Sequence, residues 1–270
     1  MAKPVILYLS MLRLTTTTIT PPGTAVGYSI NNIADLKSYK GWLSSTAVVP
    51  IQIDIDTGAG GATADAIAIV NSNLSTLACT VRVLSGAASP AATERLAATS
   101  VTDNNVWYQG FTVAAAQRYW RVTIDAAGSP VASPPWTGEI FLGMKTSLPE
   151  YLAPTIDPFF RNVEVAGSRS EGGHYLGAVL RGQTHRGRLE FGEAGAARAA
   201  FTSDLNAFLN NHAFQRKPFV FVLDTDDADF AVARYLKMTD DGGAGRFAVG
   251  GSWGRLTFGL DVEEAMMETA

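Results

Sequence analysis

Two segments of this chain alternate so strictly that they admit little besides β structure. In Arg118-Tyr-Trp-Arg-Val-Thr-Ile-Asp125, Trp120, Val122 and Ile124 alternate with Arg121, Thr123 and Asp125. In Ile51-Gln-Ile-Asp-Ile-Asp56, three isoleucines share one face and Gln52, Asp54 and Asp56 the other. A period of two puts every second side chain on the same side of an extended backbone, so each segment reads as a strand with one dry and one wet face.

Further strand signals follow the same logic. Val5–Leu14 is an apolar run, too short to span a bilayer. It precedes the β-branched stretch Thr15–Thr20 and the turn Pro21-Pro-Gly23. Ile67–Val70, Val81–Leu84 and Trp107–Val113 are separated by turns rich in Ser, Ala, Gly and Pro. Asn31–Trp42 reads as a short helical turn and loop leading to a tryptophan. Many short strands without a long helix predict a mainly β protein, built first on a jelly-roll sandwich.

Near Ser147-Leu-Pro-Glu-Tyr-Leu-Ala-Pro154 two prolines mark a linker, dividing the chain into 1–148 and 149–270. Whether the first strand, within residues 1–24, joins the sandwich or pairs with the second domain stays open. Over 195–212 the residues Phe201, Leu205, Phe208 and Leu209 form one apolar stripe at helical spacing. Around that helix, Arg186–Phe191, Phe219–Leu223, Ala231–Met238 and Arg255–Glu263 read as strands. The second domain is thus expected to hold about five strands and one amphipathic helix.

At 270 residues, 47% hydrophobic and 17% charged, the chain can bury a core. Its net charge of −4 argues against recognition of nucleic acid, which needs a basic surface. The acidity lies in the second half, where twelve basic residues face seventeen acidic ones. The lone Cys79 has no partner for an internal disulfide and reads as a small core residue. With no clear leader pattern after Val5–Leu14, synthesis in the cytosol is expected.

Signs of catalysis are weak. His174, His185 and His212 lack metal-ligand spacing, and no metal or other cofactor is expected. Gly250-Gly-Ser-Trp-Gly254 spells Gly-x-Ser-x-Gly, but it leads into a strand where a nucleophile elbow needs a helix, and it reads as a turn. The acidic run Asp224–Asp229 lacks the EF-hand ligand pattern and reads as a solvated hairpin turn.

The segments Asn31–Trp42, Ile51–Asp56 and Tyr119–Gly143, in that order, resemble the discoidin-like, galactose-binding jelly-roll family. The resemblance covers roughly residues 25–145. The order Arg186-Gly-Arg-Leu-Glu-Phe191, helix, Lys217-Pro-Phe-Val-Phe-Val-Leu-Asp224 resembles tail-tube-like and distal-tail domains of tailed bacteriophages. That second resemblance implies a tail-tip or baseplate protein of the virion, made in the host cytoplasm. Its implied partners are copies of itself in a trimeric or hexameric ring and other tail-tube and tail-tip proteins. It also implies subunit contacts through Arg169, Arg181, Arg186 and Arg188. The alternative is a carbohydrate-binding module for host surface glycans. Sugar recognition needs an aromatic plate beside polar groups, and Trp136, Trp107 and Tyr108 are the expected plates, Trp136 foremost because prolines stiffen its loop.

Overall fold

The computed structural model describes residues 4–112, 115–148, 159–169, 175–193, 198–223, 233–239, 246–250 and 255–265. In chain order the first strands are β1 (Val5–Leu7), β2 (Thr18–Thr20), β3 (Trp42–Leu43), β4 (Ile51–Asp56), β5 (Ala66–Ser72) and β6 (Cys79–Gly86). They continue with β7 (Thr93–Ser100), β8 (Val106–Gly110), β9 (Tyr119–Ala126), β10 (Trp136–Gly143) and β11 (Thr146–Ser147). After these come β12 (Phe159–Arg169), β13 (Tyr175–Glu193), the helix α1 (Arg198–Asn211), β14 (Phe219–Val222), β15 (Ala233–Met238), β16 (Arg246–Gly250) and β17 (Arg255–Glu264).

The protein is mainly β and contains a jelly-roll sandwich. A five-stranded antiparallel sheet, β2-β4-β9-β6-β7, faces a four-stranded one, β3-β10-β5-β8. The alternation foreseen in β4 and β9 is met on the inner face, where Ile51, Ile53 and Ile55 point inward with Trp120, Val122 and Ile124, but Thr123, expected on the wet face, is buried. Ile67, Ile69, Ile140 and Leu142 meet them from the opposing sheet, and Trp42 is fully buried among them.

A third sheet runs β11-β1-β14-β15-β17-β13-β12, with β16 added on β17. It answers the question left open by the sequence, because β1 pairs with β14 on one side and β11 on the other. The apolar run from Val5 does not continue as a strand to Leu14. Ser10 caps a 3-10 turn over Met11–Arg13, its hydroxyl accepting from the Leu12 N–H. The sandwich therefore leaves the third sheet after β1 and returns to it at β11.

The third sheet sits directly on the outer face of the four-stranded sheet. Ala66, Ala68 and Val70 of β5 with Phe141 of β10 pack against Val5, Leu7, Val220, Val222 and Tyr235. Covered on both sides, β5 is buried at all of its first five positions and cannot show a wet face. The other face of the third sheet receives the helix stripe, Leu205, Phe208 and Leu209, on Ile6, Phe219, Phe221, Leu236 and Leu260. The layers thus stack as five-stranded sheet, four-stranded sheet, third sheet and helix.

Several strands went unread in the sequence: β3, β7, β11, β12 and β16. The runs 224–232, 251–254 and 170–174, which include the acidic turn, the Gly-x-Ser-x-Gly letters and His174, lie outside the described residues.

Candidate functional site

The outer face of the five-stranded sheet carries two doubly hydrogen-bonded arginine–carboxylate pairs beside a groove. Register places Asp54 beside Arg121 and Asp56 beside Tyr119, with Thr20 and Thr18 next to the two aspartates on β2. Gly86 lies on the far side of Tyr119. No side chain fills that last position, and the loop after Gly86 closes over it: a Cβ there would stand 3.2 Å from the Ala88 carbonyl oxygen. The result is a groove of about 380 Å³. Thr18 and Thr20 form one wall, Asp54, Asp56 and Tyr119 the floor, and Ser89 and Ala91 the other wall.

Both floor carboxylates are held rigidly. Arg121 donates two hydrogen bonds to Asp54, at 2.6 and 2.9 Å, and Arg118 donates two to Asp56, both at 2.9 Å. Such fork-to-fork pairs fix the carboxylate plane while leaving further lone pairs to accept from a ligand. The Gly58 N–H adds a bond to Asp56. The Arg118 bonds, and then that backbone bond, hold the Asp56 carboxyl below its ordinary range, and Asp56 in turn raises Arg118. Arg118 also lies over the Tyr119 ring, 4.9 Å from its centroid. Chemically the groove offers fixed acceptors, three hydroxyls and an aromatic side chain, with no nucleophile paired to a base.

The aromatic plates expected from the sequence are placed elsewhere. Trp107 is 3% exposed and belongs to the sandwich core, its indole N–H donating to the Ser100 carbonyl; it offers no face to a sugar, which corrects the expectation. Tyr108 is half-buried on β8, and its hydroxyl is enclosed without a partner among the described residues. Burial drives its pKa up. Trp136 is half-buried, its ring lying over Gly41. The signal that could have pointed to the groove was already in the sequence: Asp54 and Asp56 on the wet face of one strand, and Arg121 on the wet face of the other.

Of the arginines expected at subunit contacts, the side chains of Arg169 and Arg181 lie outside the described residues. Arg186 meets Glu263 at 3.0 Å and Arg188 meets Asp261 at 3.2 Å, so both are engaged within the chain, across the β13–β17 pair.

The chain matches no protein-family model and no curated protein. Among solved structures it is similar to a GH29 fucosidase of Ruminococcus gnavus in complex with fucose, at 16% identity and a TM-score of 0.42. That match covers 51% of this chain and 27% of the fucosidase, so the chain spans less than a third of the fucosidase's length. It is also similar to chitosan-binding module 1 of a chitosanase/glucanase from Paenibacillus sp. IK-5, at 18% identity and a TM-score of 0.39, over 50% of this chain and 98% of the module. A third is CBM32 of AlyQ in complex with 4,5-unsaturated mannuronic acid, at 18% identity and 0.38, over 46% and 92%. At these scores the likeness transfers no function to this chain.

Proposed function

We propose that the chain is a non-catalytic binding protein whose sandwich takes a saccharide in the outer-sheet groove. The observation behind this reading is the groove itself: fixed carboxylates and free hydroxyls around an aromatic side chain, in a space of ligand size. A sugar presents hydroxyls to the first and apolar C–H groups to the second. Titration calorimetry against a panel of oligosaccharides tests it. Tyr119→Ala and Ser89→Trp should each abolish binding, while Trp136→Ala should leave it intact. Binding that survives both groove variants and is lost with Trp136→Ala would move the site to the loop end.

A second reading is supported by a different observation. Among the described residues, β13 pairs with β17 over Arg186–Glu193, whereas β12 pairs with it from Gly187 back to Tyr175. Beyond the sheet, β12 and β13 therefore form a two-stranded ribbon, which is marginal alone in water. A neighbouring subunit covering the ribbon would stabilise it, as in a self-assembling ring of a phage tail tip or baseplate located in the virion. Light scattering over a concentration series separates the two readings. A trimer or hexamer supports assembly, and a monomer at every concentration argues against it.

A further inference from the structure

We infer that the corner joining α1 to β14 is an acid-sensitive latch, closed by the His212 ring and released when that ring takes up a proton. His212 follows the helix, its N–H donating to the Phe208 carbonyl oxygen at 3.0 Å. Its own carbonyl oxygen accepts from both Gln215 and Lys217, at 3.1 and 3.3 Å. The residue is 3% exposed, and its ring reaches forward to the Pro218 carbonyl oxygen at 2.6 Å. One side chain and its backbone thus tie together the end of α1, the turn Ala213–Gln215 and the entry to β14. The ring packs on Tyr8 of β1, edge-on at 5.5 Å, and on Phe208 of α1, stacked at 6.2 Å.

A carbonyl oxygen only accepts, so Nε2 carries the hydrogen of the neutral ring and a further proton must add at Nδ1. That proton creates a cation in a buried site. Burial is the largest penalty, while the Pro218 carbonyl and the helix C-terminus favour the cation. The charged groups facing the ring are Arg13, from the turn after β1, and Lys217, from the segment before β14, and both add to the penalty. Arg13 is itself paired with Glu139, so burial outweighs repulsion here. In an opened corner the hydrated ring titrates at its ordinary 6.5, against about 4 when closed. By linkage, going from pH 7 to pH 5 favours the open form on the order of twentyfold. The latch lies on the helix side of the third sheet, so the sandwich on the other side can stay closed.

Amide hydrogen exchange on the full chain, corrected for the intrinsic pH dependence of exchange, tests the latch. The opening constant over residues 209–217 should rise on the order of twentyfold from pH 7 to pH 5, with β4 and β9 unchanged. His212→Asn keeps a donor for the Pro218 carbonyl but takes up no proton, so its corner should open equally at both. In wild type the His212 imidazole resonances should titrate with a midpoint of about 4.

Equal opening of the wild-type corner at the two pH values overturns the latch. So does an equally large rise in His212→Asn, which would assign the effect to another group. A rise shared by β4 and β9 overturns it as well, because the whole fold would then be opening. A His212 midpoint nearer 6.5 than 4 overturns it without recourse to any variant.

Discussion

Arg13 and Glu139 meet at 3.2 Å in the seam between the sandwich and the third sheet, with the Glu139 side chain fully buried. The second carboxylate oxygen accepts the Leu36 N–H at 2.8 Å, and the Arg13 guanidinium lies 4.6 Å from the centroid of the Phe141 ring. Phe141 in turn meets Tyr235 of the third sheet edge-on. One ion pair thus touches the turn after β1, the middle sheet and the loop at Leu36.

Above pH 8, where the buried Glu139 carboxyl is ionised, removing either partner leaves the other uncompensated, which typically costs about 3–5 kcal/mol. Glu139→Ala should approach that range, since it also orphans the Leu36 N–H and leaves a void. Glu139→Gln should cost less, about 1–2 kcal/mol, because the amide oxygen can still accept from Leu36. Urea unfolding at constant m-value measures both.

The pH dependence of stability follows from two buried groups of opposite sign. Burial outweighs Arg13 and pushes the Glu139 carboxyl from 4.5 up to about 8. The folded state then holds a proton that the unfolded chain has lost, so this contribution is present at low pH and fades as pH rises from 4.5 to 8. Burial lowers His212 from 6.5 to about 4, although its ring donates to the Pro218 carbonyl oxygen at 2.6 Å. Its contribution is complete above 6.5 and is lost as pH falls towards 4. Between 4.5 and 6.5 the two slopes oppose each other. Glu139→Gln should therefore make stability rise through that window and stay flat above it. His212→Asn should make it fall steadily from 4.5 to 8. Denaturant midpoints taken every half pH unit decide the matter, and identical profiles for wild type and both variants would refute it.

The doubly covered middle sheet predicts one unfolding transition, not two. Alternate residues of β5 belong to the sandwich core and to the seam, so neither layer can open without exposing the other. Calorimetry should give a single peak whose van't Hoff and calorimetric enthalpies agree. Phe141→Ala, which empties the seam beneath Arg13, should cost about 3–5 kcal/mol. The same change should begin to split the peak.

How far the sequence could be read depended on how many faces each element exposes. β4 and β9 each have one wet face, and their alternation revealed both strands and their inward residues. The amphipathic stripe at Leu205, Phe208 and Leu209 revealed α1 for the same reason. β5 is buried on both sides, so its pattern resembles any short apolar run, and nothing in it foretold a third layer. β7 fails in the opposite direction: as an edge strand it is mostly exposed, and Thr93–Ser100 carries little apolar periodicity. The joining of β1 to β14 depends on pairing between residues more than two hundred positions apart, which no local pattern encodes. The groove was half legible. Its acids and arginines stood out on the wet faces, but Gly86 and the loop that walls the space gained meaning only once register set Gly86 opposite Tyr119.

The last prediction concerns Gly41. A Cβ at this position would stand 2.5 Å from the Trp136 indole and 2.6 Å from the Thr137 carbonyl oxygen, with the latter fixed by pairing to Trp42. The backbone atom cannot yield, so the ring must. Gly41→Ala should displace Trp136 from its half-buried seat, at a cost of about 1–3 kcal/mol typical of overpacking. The indole should become more exposed, shifting its emission to the red and making it more accessible to acrylamide. Gly128→Ala meets nothing within 4 Å and serves as the control, with stability and emission unchanged. Since Trp136 stands apart from the groove residues, saccharide affinity should be the same in both variants. A loss of binding in Gly41→Ala alone would return the candidate site to the loop end.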